Sequence, residues 1–160
     1  MDEREATPKD DRSGVDIPPP LYLLVPLGAG LLLEWAVPLP FVAGVWRFVL
    51  GGVFVAGGFG IEAWAFREMV RARTSPSVWE PTKAVVTSGP YRFSRNPIYV
   101  GFTMVYLGIA VLASALWPVL LLPPALAALY LRVVRREEAY LTRKFGDAYR
   151  AYRSRVRRWL

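Results

Sequence analysis

Apolar and polar residues fall along this chain in long blocks rather than in single alternating positions. Residues 1–18 are polar and acidic, 20–66 almost wholly apolar, 67–97 mixed, 98–134 apolar again, and 135–160 dense in arginine. A globular core does not gather its apolar residues into runs of this length, whereas a bilayer protein does. A helix needs about 20 apolar residues to cross a hydrocarbon core of ~30 Å. Four segments of that order are present, at about 20–37, 44–66, 98–117 and 118–134. The pattern predicts an all-α, polytopic membrane protein with about four transmembrane helices. Pro26 in the first segment, and Pro123 with Pro124 in the fourth, predict a kink or tilt there.

Beyond the fourth segment, Leu141, Phe145, Tyr149, Tyr152 and Val156 follow helical spacing, while Arg143, Lys144, Arg150, Arg153 and Arg157 fall largely off that stripe. This predicts a C-terminal amphipathic interfacial helix within 135–160, interrupted at Gly146. Residues 19–160 read as one membrane-embedded domain. Residues 1–18 lack the basic and apolar regions of a signal peptide and read as a disordered cytosolic tail.

Charge sets the orientation. The connections at 38–43 and 117–118 carry no charge. The connection between the second and third segments holds Arg67, Arg71, Arg73, Lys83, Arg92 and Arg95, and the C-terminal region holds nine more basic residues between Arg135 and Arg158. By the positive-inside rule both basic regions, and with four spans both termini, are expected on the cytoplasmic side. The formal net charge of +7 then reflects topogenic arginines that meet anionic lipid head groups, not nucleic-acid binding.

Composition narrows the chemistry further. Hydrophobic residues make up 54% of the chain and the mean hydropathy is +0.27. With no Cys and no His, disulfides, thiolate or imidazole metal sites, Cys nucleophiles and His acid–base catalysis are excluded. No metal site is expected, and any chemistry runs on the remaining polar residues or on a cofactor. Gly52, Ala56 and Gly60 repeat every four residues, a spacing that favours close helix packing in lipid. Glu34 and Arg47 lie near the outer ends of adjacent spans and are expected to neutralise each other. Glu62, an intramembrane carboxylate, is either functional or paired with Arg67 or Arg132.

Two clusters carry the remaining information. The loop 74–97 contains Ser88-Gly89-Pro90 and Asn96-Pro97, two turns, with Pro97 suited to the first turn of the third span. Such a loop can hold a nucleoside through backbone bonds and stacking, or serve as an interfacial connector with Tyr91 and Tyr99 as anchors. The second cluster is Glu137-Glu138, followed by Phe145-Gly146-Asp147-Ala148-Tyr149-Arg150-Ala151-Tyr152. The two adjacent carboxylates point about 100° apart on a helix, so one can face a site while the other balances the surrounding arginines.

In order and spacing these clusters resemble the signature of the isoprenylcysteine carboxyl methyltransferase family, related to the phospholipid N-methyltransferases. The matching runs are Val85-Val86-Thr87-Ser88-Gly89-Pro90-Tyr91, Arg95-Asn96-Pro97-Ile98-Tyr99-Val100-Gly101, the Glu137-Glu138 pair and the Phe-Gly element that follows. The resemblance covers about half of the chain. It implies S-adenosylmethionine as cofactor, methyl transfer to a lipid-embedded substrate (a prenylated carboxylate or a lipid head group) and a pocket closed by the loop 74–97 and the segment 135–160. It further implies that Lys83, Ala84, Val85 and Val86 meet the adenosine, largely through backbone, that Tyr91, Asn96, Pro97, Ile98 and Tyr99 line the rest, and that Glu137 binds the ammonium or ribose end. The family's substrate-orienting arginine would fall at Val133, which leaves Arg132 or Arg136, with Glu138, for that task. Asn96 stands where the best-known members have His. Asn can replace a His that only hydrogen-bonds, and a carboxylate acceptor, already ionised, needs no base. A non-catalytic lipid-binding or assembly module of the same fold is the alternative that Asn96 leaves open. A sterol-reductase-like enzyme using NADPH shares the C-terminal motif but is usually longer, with more spans.

Overall fold

A computed structural model of the chain describes residues 14–15, 17–75 and 80–160. Among them the structure is helical, with α1 (Leu21–Ala36), α2 (Trp46–Arg71), a single 3₁₀ turn (Gly89–Arg92), α3 (Pro97–Leu112), α4 (Leu116–Leu129), a π-helical turn (Tyr130–Val134) and α5 (Arg135–Arg155). Two helical runs are long and apolar enough to cross a membrane: α2, and the continuous run that begins with α4. The other two apolar helices, α1 and α3, have 16 residues each. Most of the expected N-terminal tail lies outside the described residues. Its described end is packed, with Val15 only 4% exposed in the core beside Leu23 and Leu27.

Helix α2 packs along α3, and α1 along α4. Glycine makes the first contact possible. A methyl group on Gly58 would lie 2.7 Å from the Gly101 carbonyl oxygen, and one on Gly51 would lie 2.8 Å from that of Gly108. The two helices therefore run antiparallel with backbones nearly touching, through glycines seven residues apart on each. This corrects the expected interface at Gly52, Ala56 and Gly60, which faces elsewhere: Ala56 and Gly60 are exposed, and a methyl on Gly52 or Gly60 would meet nothing within 4 Å. Glu62 is tucked against Gly101 with one buried oxygen lacking a hydrogen-bond partner. Among the described residues it forms no ion pair with Arg67 or Arg132.

The turn between the third and fourth segments comes earlier than the sequence predicts. Ser114 takes a left-handed conformation (φ 52°) and its hydroxyl binds the backbone of Phe41 and Val42, so α4 starts at Leu116 and Pro118 falls in its first turn. A proline costs nothing there, because the first N–H groups of a helix have no intrahelical acceptor. The pair between Glu34 and Arg47 expected from sequence does not form. The Glu34 carboxylate accepts the N–H groups of Leu39 and Leu116, while Arg47 lies over the neighbouring Phe48 ring.

Candidate active site

At the opposite end from these turns, the segment before α1, the end of α2, the loop, the start of α3 and α5 enclose a cavity of about 480 Å³. That falls within the ~300–1,000 Å³ of typical small-molecule sites. The loop wall is fixed by side-chain bonds to the helices. Thr74 is buried and its hydroxyl accepts the Lys83 N–H, while the Tyr140 hydroxyl of α5 accepts the Thr82 N–H. The Ser88 hydroxyl donates to Glu68, which also pairs with Arg71. Next comes Gly89, with φ +59°, where a methyl would lie 2.5 Å from the Glu68 side chain and 2.8 Å from the indole nitrogen of Trp64. Only glycine satisfies both the dihedral and the clearance. The loop can therefore cross α2 this closely, and Pro90 and Tyr91 are set into the interior.

The far wall is latched by the segment after α5. Arg95 donates its N–H to the Arg157 carbonyl (2.9 Å), the Ser94 hydroxyl and Asn96 amide donate to the Arg158 carbonyl (3.2 and 3.0 Å), and the Tyr152 hydroxyl donates to the Tyr91 carbonyl (2.8 Å). Glu138 completes the latch. Its carboxylate accepts two hydrogen bonds from the Arg158 guanidinium (2.9 and 3.0 Å) and lies 3.1 Å from Arg95, with the Glu138 and Arg95 side chains each only 8% exposed.

Glu137 is used differently. The Tyr99 hydroxyl of α3 donates to its carboxylate at 2.8 Å, so the two helices meet at the cavity wall. Burial pushes the Glu137 carboxyl up to about 7, the Tyr99 bond pulls it down, and the charge of Glu138 adds to the rise. Burial likewise holds the Tyr91 and Tyr152 hydroxyls above their ordinary range. Arg95 is the one basic side chain among the described lining residues, and its Nε, though buried, has no hydrogen-bond acceptor. The wall thus offers a carboxylate and a guanidinium to a ligand carrying both signs of charge, between aromatic and apolar surfaces.

Ten residues singled out from sequence line this cavity: Ala84, Val85, Val86, Tyr91, Asn96, Pro97, Ile98, Tyr99, Glu137 and Glu138. Three do not. Lys83 is exposed and contributes its backbone N–H to Thr74. Arg132 is exposed on the π-helical turn, and Arg136 bonds the Gly14 carbonyl outside the cavity. Glu138, expected to orient substrate, is engaged by two arginines. Sequence reasoning missed Arg95, read only as a topogenic charge although it heads the Arg-Asn-Pro run. Tyr149 and Tyr152 were visible in the helical stripe but assigned to the membrane interface. The lining at Pro18 to Pro20, Phe66 and Met69 carries no sequence signal.

Helices with apolar outer faces, two of them long and apolar enough to cross a bilayer, around a largely apolar cavity that carries a few polar groups at one end, define the architecture of a membrane protein. The model of the phospholipid methyltransferase family matches residues 46–148, well over half of the chain, and the chain belongs to that family. Among curated relatives, the protein-S-isoprenylcysteine O-methyltransferase of Schizosaccharomyces pombe is 39% identical over 72 residues, 45% of this chain and 30% of that protein. The cobalt-zinc-cadmium resistance protein CzcN of Cupriavidus metallidurans is 28% identical over 122 residues, 65% of this chain and 56% of that protein. An uncharacterized protein of Haemophilus influenzae is 63% identical over 27 residues, 17% of this chain and 43% of that protein. The chain thus spans under two thirds of the length of each of these relatives. No solved structure matches it.

Proposed function

We propose that the protein is a four-span methyltransferase that binds S-adenosylmethionine in the 480 Å³ cavity and methylates a lipid-embedded substrate at the cytoplasmic face. The observation that carries this reading is the meeting of Tyr99 and Glu137 on one cavity wall, 2.8 Å apart, from two motifs 38 residues apart in sequence. The four-span topology, with both termini cytoplasmic, rests on the four apolar helices and on the confinement of almost all arginines to the cavity end.

The cofactor fits the groups present. Glu137 provides an anionic acceptor for its ammonium, Arg95 provides unused donors for a carboxylate, and the backbone at Ala84, Val85 and Val86 offers polar atoms to an adenosine. When bound, it supplies a methyl group already activated on a sulfonium. The protein's contribution is then orientation and exclusion of water. Tyr91 and Tyr99 place aromatic faces beside the cationic ligand, and the latch at Glu138 holds the far wall in register. No side chain has to remove a proton if the acceptor is a carboxylate, which is consistent with Asn96 donating its amide to the Arg158 carbonyl. The substrate tail reaches the cavity from lipid past Pro18 to Pro20 on one side and Phe66 and Met69 on the other.

Calorimetry on protein in nanodiscs is expected to show binding of the demethylated cofactor product, and labelled methyl is expected in the organic phase of a lipid extract. No binding heat, or label confined to soluble metabolites, would reject the proposal.

A further inference from the structure

The first half of α5 places Arg135, Ala139, Thr142 and Arg143 on one helical face, since these positions are four, seven and eight residues apart. At Gly146 the backbone leaves the helix (φ 52°, ψ −124°), and the chain beyond it returns Arg153 and Arg158 towards that same face. Together with Tyr130 and Glu138, these residues line a second cavity of about 440 Å³.

Its charges are lopsided. Four arginines line it against a single acid, Glu138, whose carboxylate is already held by Arg95 and Arg158. Arg135, Arg143 and Arg153 are exposed, and among the described residues no acidic side chain pairs with them. Gathering unpaired cations into one concavity raises a positive potential that an anion relieves. Guanidinium forks match a phosphate group two bonds at a time. Arg158 is further held in place by the Tyr130 ring, 5.0 Å beneath its guanidinium. Tyr130 opens the π-helical turn that ends the apolar helix, so the cavity adjoins the end of that apolar segment.

We propose that this second cavity is a specific phosphate-binding site, filled by the head group of an anionic phospholipid or by free phosphate. It differs in kind from the diffuse attraction that any arginine beside a membrane exerts on anionic lipid, because it depends on which arginines are present and not on how many. It does not depend on the methyl-transfer reading.

The test is native mass spectrometry of the full chain released from detergent, titrated in one arm with phosphatidylglycerol, using phosphatidylcholine as reference, and in the other with inorganic phosphate. The wild type is expected to retain one anionic adduct at collision energies that strip the rest. The double variant Arg143→Gln/Arg153→Gln is expected to weaken that adduct by about tenfold or more, the scale of losing charge-assisted hydrogen bonds. The variant Arg155→Gln/Arg157→Gln removes the same charge from exposed positions outside the cavity and is expected to leave the adduct unchanged. Retention of phosphatidylglycerol alone assigns the site to lipid, and retention of phosphate as well assigns it to the shared group. Equal losses in the two variants, or no retained anion of either kind, would overturn the proposal.

Discussion

The two ends of the helical bundle both rely on glutamate, and the contrast between them separates a closure from a site. At the end carrying the α1–α2 and α3–α4 turns, Glu34 accepts two backbone N–H groups, and Ser114 satisfies the backbone of Phe41 and Val42. Those polar groups bond one another and stop there. At the other end, adjacent glutamates divide the work. Glu138 is saturated by two arginines, as Glu34 is by backbone, whereas Glu137 has one bond, from Tyr99, and a cavity in front of it. A carboxylate that burial drives up to about 7 without supplying it further partners is costly to maintain. Such a cost is characteristic of positions that bind something.

The contrast can be broken most forcefully at Glu138. Replacing it with Gln leaves the Arg95 guanidinium buried without its counter-charge, which costs about 3–5 kcal/mol. The expected result is a large fall in the thermal midpoint followed by tryptophan fluorescence, with ligand binding lost as a consequence. Glu137→Gln should do the reverse. The melting temperature should change little while affinity for the demethylated cofactor product falls by about tenfold, the range for a lost hydrogen bond to a charged group.

The pH dependence sharpens the same point. Because the Glu137 carboxyl titrates at about 7, only its ionised form, present above that pH, accepts an ammonium. Wild-type affinity should fall as the pH drops through that value and level off about tenfold lower, where the protonated carboxyl matches the neutral amide of the variant. In Glu137→Gln that dependence should vanish, and calorimetry across pH 5.5 to 8.5 measures both (the range is about one and a half units on either side of the titration). An unchanged slope in the variant would place the titrating group elsewhere.

Smaller effects test the loop and the closed end. Gly89→Ala should cost about 1–3 kcal/mol, the scale of forcing a side chain into a disfavoured backbone region. It should weaken binding as the loop is pushed off α2. Glu34→Gln should cost about 1 kcal/mol, since one carboxylate oxygen becomes an amide donor facing an N–H, and should leave ligand affinity untouched. Lys83→Ala should change neither quantity, because that residue acts through its backbone N–H.

How far the sequence could be read follows from which physical signals are local. The apolar blocks located four helices, and the arginine-rich stripe located α5 and its break at Gly146, because both are composition repeated over many residues. The convergence of Tyr99 and Glu137 was legible only through a motif resemblance. What failed were the statements about direction. Arg132 lies on the π-helical turn at Tyr130–Val134, where the 3.6-residue period no longer relates its direction to that of Glu137, and Arg136, beside Glu137, bonds the Gly14 carbonyl outside the cavity. The glycine interface lies on a different face of α2 from the one expected, at Gly51 and Gly58 rather than Gly52, Ala56 and Gly60, since both sets are equally small.

The paired glycines of α2 and α3 have a consequence well away from themselves. The loop that walls the main cavity is strung between the end of α2 and the start of α3, so the distance separating its two anchors is fixed by how closely those helices meet. Gly51 and Gly58 act as the pivot of a caliper whose jaws are Glu68 and Tyr99. A single methyl group inserted at the pivot would spread the jaws, and the chain would lose its grip on a ligand it touches nowhere near the substitution.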